Sequence, residues 1–272
     1  MIDAGRLIGS HDVLLVTLDT LRYDVAQQAL EAGMTPHLAG LLPSGRWELR
    51  HSPGNFTYAA HHAFFAGFLP TPAGPGPHPR LFAAEFKGSE TTTPETCTFE
   101  EADIVAGLAA RGYRTVCIGG VGFFNQQTAL GSVLPGLFQE SYWSPEFGVT
   151  DPQSTEHQVD KALGVIEMLA VEQRLFLFVN VSALHQPNCI FTPGAKSDTP
   201  ATQGAALAYV DQHIPRLWLA MQRRAPVLAI VCSDHGTAYG EDGYHGHRLS
   251  HPVVWNVPYA EMVLPKLSES HP

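Results

Sequence analysis

Three runs of nearly uninterrupted apolar residues lie along the chain, over residues 13–18, 175–181 and 227–231. None of them alternates apolar and polar residues as a strand with one solvated face does. Such runs are typical of strands that are covered on both faces, and a shorter run over residues 115–118 has the same character. The pattern therefore predicts four buried strands with helices on both sides of their sheet.

Apolar residues at helical spacing fill the intervals between these strands. Over residues 159–170 they keep to one helical face. A second long helix is predicted over residues 203–223, and Pro215 predicts a kink in it, because proline lacks the amide hydrogen that a helix interior needs. The other predicted helices cover residues 23–32, 57–67 and 98–110.

Strands and helices thus alternate along most of the chain, which predicts an α/β fold with a mainly parallel sheet sandwiched between helices. Residues 70–79 are rich in proline and glycine and predict a surface loop. Residues 123–147 are irregular and aromatic, and we expect them to form a loop region over the site. No internal repeat or linker interrupts the pattern, so we interpret residues 1–272 as a single domain.

Polar residues follow the predicted strands where each one ends. Asp19 follows the first strand, and Asp234 and His235 follow the last. In parallel sheets ligands bind outside the carboxyl ends of the strands, so these side chains should meet at one edge. A carboxylate beside an imidazole suits a divalent metal. Thr57, between the two strand ends in sequence, is a candidate nucleophile.

Composition narrows the class of protein. The formal net charge of −10 argues against nucleic-acid binding, which needs a positive field. The four cysteines form no CxxC pair and no disulfide framework. We see no signal peptide and no apolar stretch near the ~18 residues of a membrane helix. These observations predict a cytoplasmic protein that binds neither nucleic acid nor membranes.

Five segments in colinear order resemble motifs of the alkaline phosphatase and sulfatase superfamily. The chain as a whole resembles a sulfatase-like, metal-dependent hydrolase of the branch with a threonine nucleophile. The last segment resembles the SDHG metal motif, and the third resembles the nucleophile helix, TxPSHxSLLTGxxP. Each is weak alone, but their order is specific. The segments are LDTLRYD at residues 18–24, MTPHL at 34–38, TYAAHHAFFAGFLP at 57–70, YVDQHI at 209–214 and SDHG at 233–236.

The resemblance implies an alkaline-phosphatase-like fold and a metal held by Asp19, Thr57, Asp234 and His235, with Thr57 also acting as nucleophile. An ordinary structural role competes with this interpretation, because Asp19 and Thr57 could each cap a helix. For Thr57 the two roles are compatible, since a helix N-terminus also favours an incoming anion. Two carboxylates, a hydroxyl and an imidazole suit Zn²⁺ or Mn²⁺ better than Ca²⁺.

Four further histidines are candidates: three come from the same resemblance, and His245 is near the metal motif in sequence. His185 and His247 match positions that contact substrate or bind a second metal, and we assign both a catalytic role. One metal with these two imidazoles facing the substrate is the first choice. His61 occupies a position where sulfatases carry arginine, so it either contacts the anion or packs in the core. His245 is a weaker candidate for a second metal or for substrate binding.

Departures from the family pattern point to phosphorus rather than sulfur. Position 57 is not the cysteine or serine that becomes formylglycine, and Gly119 and Gly120 stand near the place of the polar GKxH residues of arylsulfatases. The sequence also ends soon after Pro258, which predicts a minimal core lacking the C-terminal subdomain. A partner chain or oligomer contact could then complete a shallow pocket.

The leading hypothesis is a metal-dependent hydrolase of phosphate mono- or diesters, or of phosphonates, with a small anionic ester as substrate. A transferase of the same superfamily, which passes the phosphoryl group to an acceptor other than water, is equally consistent with a Thr57 nucleophile. A non-catalytic relative that binds metal and an anion for a partner protein is the third alternative.

Overall fold

A computed structural model describes residues 2–67 and 103–268. The predicted loop at residues 70–79 and the start of the helix predicted at 98–110 lie outside the described residues. The helices are α1 (Tyr23–Glu31), α2 (Pro36–Leu41), α3 (Thr57–Ala66), α4 (Ile104–Ala110), α5 (Ser154–Met168), α6 (Pro200–His213), α7 (Pro215–Arg224) and α8 (Pro252–Trp255). The strands are β1 (Asp12–Leu18), β2 (Glu48–His51), β3 (Arg114–Ile118), β4 (Glu140–Tyr142), β5 (Leu175–Val181), β6 (Val227–Cys232), β7 (Ala238–Tyr239), β8 (His245–Gly246) and β9 (Asn256–Leu264).

Within the described residues, the central sheet has seven strands in the order β2-β9-β6-β1-β5-β3-β4. Strand β1 lies in the middle and pairs in parallel with β5 and β6. Strands β3 and β4 continue the parallel arrangement, whereas β9 runs antiparallel to both of its neighbours. The predicted mainly parallel α/β sheet flanked by helices is therefore confirmed, and all four predicted strands are present.

Side chains alternate between two apolar layers because successive residues of a strand point to opposite faces. On β1, Leu14, Val16 and Leu18 face the layer formed with α1, α2, α5, α6 and α7. Val13 and Leu15 face the other layer, which contains Phe65 of α3, residues of α4 and aromatic residues between β3 and β4. Both faces of the central strands are thus buried, as their unbroken apolar runs predicted.

Two features of the fold depart from the prediction. The single kinked helix predicted over residues 203–223 is two helices, α6 and α7, that meet at Pro215, since proline removes one helical hydrogen bond and crowds the preceding turn. Residues 123–147 are largely irregular, as expected, but they also contain the edge strand β4. Phe124 and Phe138 from this segment pack into the sheet layer beside α3.

Candidate metal and nucleophile site

The carboxyl ends of the central strands bring the predicted site residues together. Asp19 directly follows β1, and Asp234 and His235 follow the adjacent strand β6. One ligand atom from each of these three side chains lies within 4.8 Å of the other two, and all three side chains are fully buried. Residues more than two hundred positions apart in sequence therefore form one compact cluster of two carboxylates and an imidazole.

The hydroxyl of Thr57 points into this cluster. Thr57 Oγ1 lies 3.3 Å from Nε2 of His235 and 3.5 Å from Oδ2 of Asp19. Thr57 is the first residue of α3, and Phe56 occupies the N-cap position without a side-chain hydrogen bond. Asp19 likewise lies before Arg22, which is the N-cap of α1. Helix capping therefore accounts for neither Thr57 nor Asp19.

Neighbouring backbone groups orient the ligand atoms. His235 Nδ1 donates to the carbonyl oxygen of Gly236 at 2.8 Å, which leaves the Nε2 lone pair directed at Thr57 and Asp234. Oδ1 of Asp234 accepts the amide hydrogens of Thr20 and His235 at 3.2 and 3.0 Å. Thr20 adopts a left-handed conformation with φ of 60°, which turns its amide towards Asp234.

Two carboxylate oxygens in the cluster have no hydrogen-bond partner, although burial normally demands one. They are Oδ1 of Asp19 and Oδ2 of Asp234. Loss of water raises the pKa of Asp19 to about 6, with repulsion from Asp234 adding to the shift, and loss of water raises the pKa of Asp234 to about 7. A divalent cation would satisfy both oxygens and neutralise the repulsion, so the residues fit the metal site that the resemblance implies.

Two predicted histidines lie beside the cluster. The ring of His247 is 4.6 Å from that of His235 and 5.8 Å from that of His185, measured between centroids. Both are partly exposed, and His185 Nδ1 is bonded to the carbonyl oxygen of Gln186. Burial lowers the pKa of His247 to about 3, with His235, His185 and Arg248 adding to the shift, so His247 is a neutral imidazole at physiological pH.

The other two predicted histidines do not belong to the ligand cluster. His61 is fully buried, and both of its ring nitrogens are bonded within the protein, to the carbonyl oxygen of Thr57 at 2.7 Å and to Oγ1 of Thr17 at 3.0 Å. This geometry favours the packed alternative for His61 over contact with an anion. His245 is exposed on the β7–β8 hairpin and does not belong to the ligand cluster.

Sequence reasoning missed Asn180 and Arg248. Asn180 donates from Nδ2 to Oδ2 of Asp19 at 3.1 Å, and its only signal in the sequence is a polar residue within an apolar strand. The guanidinium of Arg248 lies over the ring of Phe56 at 5.4 Å, and the Arg248 amide donates to the carbonyl oxygen of Asn55. Among the described residues no carboxylate forms an ion pair with Arg248, so it is an exposed cation at the rim of the site.

The sulfatase family model matches residues 11–259, which is most of the chain. The chain therefore belongs to the sulfatase family, and its predicted resemblance to the alkaline phosphatase and sulfatase superfamily is confirmed. Members of this superfamily act on phosphate or sulfate esters and depend on divalent metals. A comparison with curated proteins found no significant match.

Three solved structures illustrate the likeness in fold. The soluble domain of lipooligosaccharide phosphoethanolamine transferase A from Neisseria meningitidis has a TM-score of 0.64 at 15% identity, covering 94% of this chain and 77% of that one. The lipoteichoic acid synthase LtaP from Listeria monocytogenes has a TM-score of 0.64 at 13% identity, covering 97% and 68%. The C-terminal periplasmic domain of EcEptC from Escherichia coli, in complex with Zn, has a TM-score of 0.60 at 12% identity, covering 94% and 74%.

The prediction of a cytoplasmic protein is wrong. It rested on the lack of a signal peptide and an apolar segment, whereas the structural neighbours include periplasmic and soluble domains, among them the EcEptC domain. A sequence shows its compartment only where it contains the targeting segment, and a catalytic fold carries no such signal. Within residues 2–67 and 103–268, no helix is long and apolar enough to cross a membrane.

Proposed function

We propose that this chain is a metal-dependent enzyme that cleaves phosphate esters or phosphonates through a covalent intermediate on Thr57. One observation carries the proposal: the Thr57 hydroxyl lies within 3.5 Å of both Asp19 and His235, at the start of a ten-residue helix. A hydroxyl in this position is held for in-line attack, and the first-turn amides of α3 favour an incoming anion. The single central sheet that joins these elements supports the interpretation of the chain as one catalytic domain.

Asp19, Asp234 and His235, together with Thr57, would hold a Zn²⁺ or Mn²⁺ ion. When bound, such an ion lowers the pKa of a coordinated hydroxyl and neutralises the charge of phosphoryl oxygens. The chain itself then supplies the attacking hydroxyl and the helix N-terminus. Thr57 Oγ1 forms the bond to phosphorus as the bond to the leaving oxygen breaks, and the hydroxyl proton of Thr57 passes through solvent to the leaving oxygen. The helix N-terminus stabilises the phosphorylated Thr57.

His185 and His247 are the side chains that we propose for the second step. Release of the phosphoryl group from Thr57 requires an acceptor, water or another hydroxyl, that loses a proton as it attacks. Among the described residues, Nδ1 of His247 has no hydrogen-bond partner, so no protein group competes with a bound group for this nitrogen of His247. His185 packs against it and faces the same cluster, which supports the assignment of both imidazoles to the substrate side.

Phosphorus is favoured over sulfur by the backbone beside the site. A Cβ at Gly120 would lie 2.3 Å from the carbonyl oxygen of Asn180, and a Cβ at Gly119 would lie 2.4 Å from Cβ of Phe124. No side chain fits at either position, so the polar residues that arylsulfatases carry near this point have no equivalent at Gly119 or Gly120. A threonine at position 57 also lacks the route to formylglycine.

A second candidate is transfer of the phosphoryl-type group to an acceptor other than water. It is supported by the names of two neighbours, a phosphoethanolamine transferase and a lipoteichoic acid synthase, which share this fold. An extracytoplasmic setting belongs with this candidate. The chemistry on Thr57 is the same for both candidates, and they differ only in what removes the group from Thr57.

The test is turnover by protein loaded with Zn²⁺ or Mn²⁺, beside the Thr57→Ala variant. The substrates are bis-p-nitrophenyl phosphate, p-nitrophenyl phosphate, p-nitrophenyl phenylphosphonate and p-nitrophenyl sulfate. Release of nitrophenol from one phosphorus ester, lost in Thr57→Ala, supports the proposal. An added alcohol such as glycerol separates the candidates, because a transferase forms the glycerol ester in preference to free phosphate. Stoichiometric metal binding without turnover of any substrate would favour a non-catalytic relative.

A further inference from the structure

Two polar residues interrupt the apolar layer that faces α3. On β1 the residues of this face are Val13, Leu15 and Thr17, and on β5 the face ends in Phe178 and Asn180. Thr17 and Asn180 are directly paired in the parallel register of the two strands, and both are fully buried. Polar side chains are costly here unless they are hydrogen-bonded, so their partners identify what they do.

The orientation of the Asn180 amide follows from its neighbours. Its Oδ1 accepts the amide hydrogen of Val121 at 3.0 Å, which only an oxygen can do. Nδ2 therefore faces the other way and donates its two hydrogens, one to Oγ1 of Thr17 at 3.2 Å and one to Oδ2 of Asp19 at 3.1 Å. All hydrogen-bonding groups of this side chain are used.

His61 links Thr17 to Thr57. His61 Nδ1 faces the carbonyl oxygen of Thr57 at 2.7 Å and must be the donor. Its Nε2, 3.0 Å from Thr17 Oγ1, accepts the hydroxyl hydrogen of Thr17. The rings of Phe64, Phe65, Phe124 and Phe178 enclose His61 with centroids 5.2 to 6.0 Å away. This buried network, Thr17, Asn180 and His61, thus joins Asp19 to the backbone of Thr57.

The network also determines which oxygen of Asp19 is left free for a metal ion. Asn180 occupies Oδ2, while Oδ1 of Asp19 is buried without a partner. We infer that Thr17, Asn180 and His61 are positioning residues that align the Asp19 carboxylate with the Thr57 hydroxyl, so that metal affinity depends on all three acting as a unit. This inference rests on the metal site of the proposed function but concerns metal affinity rather than turnover. Outer partners of ligating residues commonly change metal affinity by about 10–100-fold.

The experiment measures the Kd for Zn²⁺ by competition with a chromophoric chelator on the full chain. We expect Asn180→Leu to raise the Kd by about 10–100-fold. Thr17→Val, which removes only the hydroxyl, should raise it by a smaller factor. The double variant should bind no more weakly than Asn180→Leu alone, because the two residues act through the same carboxylate. Thr17→Ser keeps the hydroxyl and should restore the wild-type Kd.

Thr115→Val is the matched control. Thr115 is also a buried strand threonine, and its Oγ1 accepts from the amide of Gln139, away from the metal ligands. Thr115→Val should lower the melting temperature of the metal-free protein as Thr17→Val does, without changing the Zn²⁺ Kd. If Thr17→Val and Asn180→Leu bind Zn²⁺ like the control, or if their effects multiply, the inference is overturned.

The two proposals can fail separately. If wild-type protein binds Zn²⁺ and the network variants shift its Kd as a unit, the inference holds even where no ester is turned over. If esters are cleaved through Thr57 while the network variants bind Zn²⁺ normally, the inference alone fails. Should Asn180→Leu not fold, the comparison of Thr17→Val with Thr17→Ser and Thr115→Val decides the question.

Discussion

The hydroxyl of Thr57 lies 3.3 Å from Nε2 of His235, although 178 positions separate the two residues in sequence. The relationship depends on two structural elements, because Thr57 begins α3 and His235 follows the strand β6. Nδ1 of His235 is bonded to the carbonyl oxygen of Gly236, so Nε2 is the nitrogen directed at Thr57. A sheet edge and a helix N-terminus together therefore form the candidate site.

Replacement of Thr57 tests this arrangement directly. Thr57→Ala should lower kcat by at least about 10³-fold, because the variant lacks the hydroxyl that is proposed to attack phosphorus. Thr57→Ser should keep measurable activity, since the oxygen remains at the start of α3. Trapping with a slowly released substrate and mass spectrometry should show one added phosphoryl group on the peptide that contains residue 57. Equal activity in the alanine and serine variants would mean that Thr57 forms no covalent intermediate.

Replacement of Asp234 should separate stability from metal binding. In Asp234→Asn, the amide oxygen can still accept from Thr20 and His235, but one buried charge is gone. Burial raises the pKa of Asp234 to about 7, so at pH 8 the carboxylate is ionised in the metal-free fold and its buried charge lowers the stability of that fold. We therefore expect metal-free Asp234→Asn to be about 1–2 kcal/mol more stable than wild type at pH 8.

With saturating Zn²⁺ the order of stability should reverse, so that wild type is more stable than Asp234→Asn. A ligand at about a thousand times its Kd stabilises a protein by about 4 kcal/mol, and the variant should lose most of that gain. Thermal melts with EDTA and with Zn²⁺ measure both effects. Asp160→Asn is the control, because Asp160 is an exposed carboxylate paired with Arg216. A variant that is less stable than wild type under both conditions contradicts the prediction.

The sequence predicted the central strands and the meeting of Asp19 with Asp234 at one edge of the sheet, because both leave local signals. A strand buried on two faces needs an unbroken apolar run, and β1, β5 and β6 all have one. Asp19 and Asp234 were recognisable because Asp19 directly follows one such run and Asp234 comes shortly after another. Parallel pairing then brings them to one edge without any knowledge of distant contacts.

The elements that the sequence did not predict lack such signals. Strand β9 contains Pro258 and Glu261, which argue against a strand, yet it pairs with β6 on one side and with the short strand β2 on the other. Strand β2 is four residues long and carries mostly polar side chains. The role of Asn180 depends on a partner 161 positions away, Asp19, so no local pattern could reveal it.

The exposed cation at Arg248 should affect binding rather than chemistry. A guanidinium without a carboxylate partner can form paired, charge-assisted hydrogen bonds with an anionic substrate. Arg248→Gln should therefore raise KM for an anionic phosphodiester by about tenfold, with kcat nearly unchanged. Arg248 lies over the ring of Phe56, the residue directly before Thr57, so its charge is close to the candidate site.

Salt and a matched variant check this explanation. Added salt should raise KM for wild type more than for Arg248→Gln, since screening weakens an exposed charge interaction. Arg216→Gln is the control, because Arg216 is also partly exposed but pairs with Asp160 on the surface of α5. If Arg248→Gln and Arg216→Gln share the same KM, Arg248 does not contact the substrate.

Glu241 joins the β7–β8 hairpin to Arg22, which follows β1 by a short turn. The carboxylate accepts from the guanidinium of Arg22 and from the backbone amide of Tyr239. Burial raises the pKa of Glu241, but these hydrogen bonds lower it more, so that its pKa is about 2 instead of 4.5. A carboxyl whose pKa is depressed by folding stabilises the fold above its unfolded value and loses that contribution as the pH falls.

The stability that Glu241 supplies should therefore be complete above about pH 4.5 and should disappear between pH 4.5 and 2. Because this side chain is partly exposed, we expect only about 1 kcal/mol. Urea unfolding of metal-free wild type and Glu241→Gln measures it: the difference between them should be largest near neutral pH and shrink in acid. Glu167→Gln, at an exposed position on α5, is the control. A difference that does not change between pH 6 and 3 would mean that the Glu241 charge has no role in holding the hairpin.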